Sequence, residues 1–303
     1  MNVIQTHDLT RRYGATEAVH ALNLAVPAGS VCALLGPNGA GKTTTLKLLM
    51  NLLRPTSGRA EVLGIDTSKL GEREFAQIGY VSENQQLPLW MTVQQLLDYC
   101  RPFYPTWDRG LEKQLLAQFQ LPADRRLQQL SRGMLMKAAL LASLAYRPRL
   151  LVLDEPFSGL DPLVREEFVH GLLEVSTQGD WTVLVSSHDV DDVERLVDRI
   201  AFIDAGRLRL NEPTDVLQGR FRRVEVTGGN GGADGVPAAG ELEWARSGQL
   251  TRFVATGYAG ETSELGWRAR FPGATFTVQP MSLREIFITL ARTGTNGGPG
   301  GGA

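Results

Sequence analysis

The 303-residue chain reads as an α/β protein with a doubly wound, largely parallel sheet, followed by a smaller and differently built extension. Three observations predict this. The apolar runs Val31–Leu35, Leu150–Leu153 and Thr182–Ser186 have the pattern of strands buried on both faces. Segments of helical period alternate with them, as in a wound sheet. Seventeen of the 33 glycines fall after residue 220, so the last quarter of the chain is not built like the rest.

In chain order, β-like residues near Ile4 and from Ala21 to Val26 precede the first buried strand, and Lys42 to Leu53 reads as a helix. A short strand follows at Ala60 to Val62, then helices at Val93–Tyr99, Leu111–Phe119 and Ser131–Tyr146. The second buried strand leads to a helix over Leu163–Gln178, and the third to a helix over Val190–Val197 and a strand at Ala201–Asp204. The shorter strands are expected to add an antiparallel part, making the sheet mixed. Beyond Gly219, Arg222–Thr227 and Thr251–Ala255 alternate like strands with one exposed face, separated by the glycine-rich stretch Gly228–Gly240. Ser282-Leu-Arg-Glu285 is a capping box opening a helix over Leu283–Arg292, and the tail Gly294–Ala303 reads as disordered.

Composition narrows the function. With 31 basic and 33 acidic side chains the formal charge is −2, so no global field recruits nucleic acid, and none is expected as a partner. Cys32 and Cys100 lie far apart and the histidines are His7, His20, His170 and His188, which give no metal-ligand spacing. A reduced, intracellular setting is the default. The first fourteen residues lack an apolar signal core, and no stretch approaches the roughly 18 apolar residues of a membrane span. Any membrane role is expected to come through another chain.

Gly36-Pro37-Asn38-Gly39-Ala40-Gly41-Lys42-Thr43, followed by Thr44, satisfies G-x-x-x-x-G-K-[ST] between a buried strand and a helix. Glycines let a tight turn bring its amides onto phosphate oxygens, and the helix N-terminus adds a dipole that favours anions. Lys42 is expected to neutralise the β- and γ-phosphates, and Thr43 to offer its hydroxyl to Mg²⁺. A turn that merely joins strand to helix would not need all eight positions. The motif makes this a P-loop nucleotide hydrolase fold. No Asn-Lys-x-Asp sequence for reading guanine is present. Asp154, ending its strand, is the expected holder of the magnesium, and Glu155 beside it can polarise an attacking water.

From about Val3 to about Gly219 the chain resembles the ATP-binding cassette family. Beyond the phosphate loop and Asp154-Glu155-Pro156, Leu130-Ser131-Arg132-Gly133-Met134 is similar to the family signature. Ser158-Gly159-Leu160-Asp161-Pro162 is similar to its D-loop, and Ser187-His188-Asp189 to its switch histidine. Tyr13 stands where the family places an aromatic that stacks on adenine. The resemblance implies a P-loop NTPase with a mixed sheet and an inserted helical subdomain over about 84–148, to which the strands and helix read after Gly219 add a small α+β C-terminal extension. An ATPase domain would cover 1–219, an accessory domain 220–293, and the tail 294–303.

The resemblance also implies that two such domains sandwich two ATP molecules head to tail. Ser131 and Gly133 would then meet the γ-phosphate held by the other domain, His188 would hydrogen-bond its own γ-phosphate, and Asp161 would carry communication across the dimer. Thr43, Asp154 and Glu83 would surround Mg²⁺, with Glu155 as general base. Two positions depart from the common pattern. Glu83 stands where the family usually has glutamine; it keeps an oxygen donor and adds a charge. Arg132 stands where glycine is usual and Met134 where glutamine is usual; Arg132 either adds positive charge near the phosphate or points into solvent.

Trp90, Tyr99, Phe103, Tyr104 and Trp107 crowd five aromatic residues into the segment the family builds as its helical subdomain. About half of these rings are expected to pack the subdomain's own core, with Phe103, Tyr104 and Trp107 nearest a membrane partner. The expectation is therefore the ATP-hydrolysing subunit of a transporter. It would pair with a second copy or a related subunit and sit on the inner face of the membrane through a separate permease, for export by family analogy. A soluble cassette ATPase acting on ribosomes or DNA and a nucleotide-dependent regulatory subunit are the rival readings.

Overall fold

Val3, Ile4 and Leu9 turn inward from the first strand, β1 (Asn2–Tyr13), which turns back through β2 (Thr16–Leu22) and β3 (Ala25–Pro27) into the buried β4 (Val31–Leu35). The structure is a computed structural model and describes residues 1–176, 181–228 and 237–295. After β4 come α1 (Lys42–Leu49), β5 (Ser57–Val62), β6 (Ile65–Asp66), the short α2 (Glu72–Phe75) and β7 (Ile78–Ser82). Three helices follow: α3 (Val93–Cys100), α4 (Arg109–Gln118) and α5 (Arg132–Leu144). Each begins at a residue whose side chain accepts from the first turn: Thr92, Asp108 and Ser131. Then come β8 (Leu150–Asp154), α6 (Pro162–Ser176), β9 (Thr182–Ser187), β10 (Arg199–Asp204) and β11 (Arg207–Pro213).

The strands form two sheets. One is antiparallel, in the order β2-β1-β5-β6 with β3 also on β1; the other has the order β11-β10-β4-β9-β8-β7, and β10, β4, β9, β8 and β7 run parallel. A single core, including Ile4, Val26 and Val62 of the first sheet, Leu46 and Leu49 of α1, and Leu34, Leu184 and Ile203 of the second, joins the sheets through α1. The expected mixed α/β architecture is what the chain adopts.

Some elements depart from their sequence pattern. Val190–Val197 was expected to be helical and is instead a run of turns, with Val193 and Leu196 N–H bonding three residues back and Glu194 and Val197 N–H bonding four back. Valines at 190, 193 and 197 disfavour helix, and the adjacent acids compete for local bonds. The first helix stops at Leu49 rather than Leu53 because Asn51 takes φ +53°. The helix expected to reach Gln178 is described to Ser176, residues 177–180 lying outside the described residues.

The chain divides into two compact units, Met1–Asn211 and Glu212–Ala303. The second holds α7 (Thr214–Arg220), β12 (Arg222–Thr227), β13 (Glu241–Ser247), β14 (Leu250–Ala255), α8 (Glu261–Arg270), β15 (Thr275–Pro280) and α9 (Leu283–Thr295). Its sheet order is β13-β14-β12-β15, with β14 and β15 both antiparallel to β12. β14 and β15 are thus parallel to each other and joined through α8 around the intervening strand. Val224, Val226, Phe253, Trp267 and Phe271 form this unit's own core. Four of its elements, α7, β13, α8 and β15, escaped the sequence reading; α8, for instance, buries only Trp267 and shows no apolar period. The last helix runs through Gly294 to Thr295 instead of ending before a tail. Residues 229–236 of the glycine-rich stretch and 296–303 of the expected tail lie outside the described residues.

Candidate active site

Parallel strands deliver the motif residues to one edge. The phosphate loop follows β4, His188 follows β9, Asp154 ends β8 and Glu83 follows β7, all four on neighbouring strands at their carboxyl ends. Ligands of open α/β sheets bind in that crevice.

At its two ends, Gly36 and Gly41, the loop approaches other backbone too closely for a side chain. A Cβ on Gly36 would lie 2.2 Å from Ile203 O, and one on Gly41 2.3 Å from Ala18 O, and Gly41 also takes φ +102°. Pro37, Asn38 and Gly39 are exposed and Ala40 is buried. Gly41 caps α1 without a side chain, leaving the first-turn N–H groups of Lys42, Thr43 and Thr44 for an external acceptor.

Lys42 is 5% exposed and is held by oxygens throughout. Its Nζ donates to Gly36 O at 2.7 Å and Pro37 O at 3.1 Å and lies 3.0 Å from Glu155 Oε1. The other carboxylate oxygen of Glu155 meets His188 Nδ1 at 2.8 Å, so Nε2 is the His188 nitrogen left for a further partner. Glu155 takes φ +50°, a left-handed conformation unfavourable for a side chain with a Cβ. Its N–H donates to Ser186 Oγ at 2.9 Å.

Asp154 is buried and accepts from Thr43 Oγ1 at 3.0 Å and Ser186 Oγ at 2.9 Å. Burial holds its carboxyl above the ordinary aspartate value; the two hydroxyls oppose the rise, and Glu155 adds to it. Thr43 and Asp154 together present hard oxygen donors of the type Mg²⁺ takes. Among the described residues no cluster of three or more His, Cys, Asp or Glu is arranged to hold a metal ion.

Glu83 comes to the same edge, its N–H donating to Asp154 O at 3.0 Å, but its carboxylate faces elsewhere. Oε1 accepts from Arg132 Nη2 at 2.5 Å and from Ser158 Oγ at 2.9 Å. Arg132, 51% exposed, is therefore held by a carboxylate rather than pointing free into solvent. Ser131 is exposed, and its hydroxyl accepts from Met134 N at 3.2 Å. Gly133 is buried, where a Cβ would meet Val164 Cγ1 at 2.5 Å; it lets α5 close on α6. Asp161 caps α6, Oδ1 accepting from Val164 N at 3.0 Å, with Pro162 at the first helical position. Tyr13 is half-exposed at the end of β1, with the Arg11 guanidinium 4.7 Å from its ring centroid.

Of the rings expected nearest a partner, Phe103 is 64% exposed and contacts Tyr99 edge-on at 5.6 Å, while Trp90 is 67% exposed. Tyr104 instead stacks on Tyr146 at 3.8 Å, and Trp107 Nε1 donates to Glu112 at 2.5 Å. Those two rings are half-buried and partnered within the subdomain. Sequence reasoning missed Ser186, which links Asp154 to the Glu155 backbone; a serine ending a buried apolar strand was the available signal. It also missed Asp192, which is buried, accepts from Ser187 Oγ at 3.2 Å and pairs with Arg165 just beyond Asp161.

Fold and site define a P-loop nucleoside-triphosphate hydrolase. The ABC transporter family model matches residues 19–158. A Synechocystis ABC transporter ATP-binding protein is 33% identical over 240 residues, covering 74% of this chain and 67% of that protein. Nod factor export ATP-binding protein I of Neorhizobium galegae is 30% identical over 298 residues, covering 95% and 84%. The daunorubicin/doxorubicin resistance ATP-binding protein of Streptomyces peucetius is 38% identical over 220 residues, covering 71% and 66%. A solved ATP-binding subunit of an ABC transporter superposes with TM-score 0.64 at 26% identity, covering 72% of this chain and 92% of that one. The chain belongs to the ABC transporter ATP-binding proteins, and it is an ATP-hydrolysing subunit of such a transporter.

Proposed function

We propose that the chain drives export by binding ATP at the edge formed by β4, β9, β8 and β7, closing on a second cassette head to tail, and hydrolysing ATP with Glu155 as general base. The observation that carries this reading is the chain of contacts Lys42–Glu155–His188 beside the Thr43–Asp154 pair. Phosphate oxygens entering the loop would replace the Gly36 and Pro37 carbonyls on Lys42 and free Glu155 from it. Glu155 then takes the proton of the attacking water, and His188 hydrogen-bonds the γ-phosphate. Thr43 and Asp154 would hold Mg²⁺, which neutralises phosphate charge when bound; in this reading the Glu83 carboxylate, expected from the sequence to join them, stays with Arg132 and Ser158. Tyr13 is the platform for adenine.

Ser131 and Asp161 belong in this reading to the surface that meets the second cassette, with Gly133, expected there from the sequence, buried behind Ser131 against Val164. Head-to-tail closure is drawn from the motif resemblance, and export from the printed names of the Nod factor and drug-resistance relatives. A permease contact is assigned to Phe103 with Tyr99 and Trp90. Among the described residues no helix is long and apolar enough to cross a membrane, which suits peripheral attachment through a permease at the inner face. We assign the ATPase to 1–219 and an accessory role to 220–293.

Glu155→Gln tests the mechanism. Turnover should fall by about a hundredfold or more, the range for loss of a general base, while an ATP-bound dimer accumulates in sedimentation. Unchanged hydrolysis would remove Glu155 from its role. A regulatory subunit with incidental hydrolysis would transport cargo unaffected by that substitution.

A further inference from the structure

One carboxylate oxygen ties together three loops that lie far apart in sequence. Glu83 Oε1 accepts from Arg132 Nη2 and Ser158 Oγ, and the Glu83 backbone is bonded to Asp154. The Arg132 guanidinium also lies against the turn after Ser158, where a Cβ on Gly159 would come within 2.7 Å of Nη1. Arg132 is the first residue of α5, and Ser131 is its cap. A continuous path therefore runs from the metal-holding end of β8, through Glu83 and Arg132, to the α5 N-terminus. The side chains that replace the family's usual glutamine and glycine are each other's partners.

We propose that Arg132 is a positioning residue: acting through Glu83, it fixes the α5 N-terminus against the end of β8 so that Ser131 is presented to the nucleotide held by the second cassette. This rests on the head-to-tail reading above. A helix N-terminus attracts an anion only along the direction of its first-turn amides, so the angle at which α5 leaves Ser131 decides its use. The guanidinium fork matches a carboxylate and fixes that angle better than a point charge would. The side chains are 51% and 28% exposed, so the pair adds little to stability. Its effect is on geometry, and it weakens with salt.

The test uses the full-length chain carrying Glu155→Gln, so that ATP is not consumed. ATP-dependent dimerisation is measured by sedimentation, and monomer affinity with a fluorescent ATP analogue at protein concentrations below dimerisation. Arg132→Ala should leave monomer affinity within about twofold and weaken the dimer by about fivefold, the upper range for a partly exposed pair. Arg132→Lys should recover part of the loss. Adding Glu83→Ala to Arg132→Ala should cost the dimer nothing further, because each residue acts through the other. Additive losses, or a dimer as tight in Arg132→Ala as in the parent, overturn the proposal while leaving the head-to-tail reading intact. A parent that stays monomeric with ATP overturns both.

Discussion

Asp154 illustrates how function is set against stability within one residue. Burial raises its carboxyl, so the folded chain binds that proton more tightly than the unfolded chain does. The resulting stabilisation is complete below the ordinary aspartate value and is lost as pH rises through the raised folded value. Once ionised, the group is therefore a liability to the metal-free protein. Asp154→Asn keeps an acceptor for Thr43 and Ser186 while removing the charge; the melting temperature in EDTA should rise, and Mg²⁺-dependent turnover should fall by about a hundredfold or more. A lower melting temperature in EDTA would contradict this account of the burial. Cys32 is a simpler case. It is buried in β4 and its thiol is pushed up to about 12 by desolvation, whereas Cys100 is only partly covered. A thiol reagent at pH 8 should label Cys100 in the native chain and Cys32 only after denaturation.

At the scale of elements, small residues and caps set how helices meet. Gly133 admits α6 so closely that a Cβ would meet Val164 Cγ1 at 2.5 Å. Gly133→Ala should cost about 1–3 kcal/mol in urea unfolding, as overpacked sites do, and Val164→Ala in the same chain should return most of it. The capping box of α3 is independent of the active site, with Thr92 and Gln95 exchanging side chain-to-backbone bonds of 2.9 and 3.1 Å. Thr92→Ala should cost about 1 kcal/mol and leave ATP turnover unchanged. These elements also show what the sequence could reveal. α3 announces itself by a cap and a buried stripe at Val93, Leu96 and Leu97. Residues 190–197 offered a similar apolar spacing, yet turns won, because Ser187 Oγ and the Asp189 N–H already bond locally at the entry. Spacing alone does not weigh such competing bonds.

The whole molecule contains two units with separate cores, and every candidate nucleotide-site residue lies between Tyr13 and His188, inside the first. A chain ending at Pro213, where β11 finishes, should bind a fluorescent ATP analogue within about twofold of the full chain, since no residue of the second unit is needed to hold phosphate. Affinity lost with the second unit would place part of the nucleotide site there.

By itself the sequence located the residues of the edge: the phosphate loop, Asp154, Glu155 and His188 each lie in a short motif, where the residues needed are neighbours in the chain. It also determined the α/β class, because buried parallel strands must be continuously apolar. Tertiary structure alone decided who partners whom. Thr43 reaches Asp154 across 111 residues, Ser158 reaches Glu83 across 75, and Arg132 reaches Glu83 across 49. Each pairing depends on the strand order β4-β9-β8-β7, and no local pattern encodes the order in which strands assemble. Arg132, with two destinations open in the sequence, finds a third for that reason: the sheet brings a carboxylate to it.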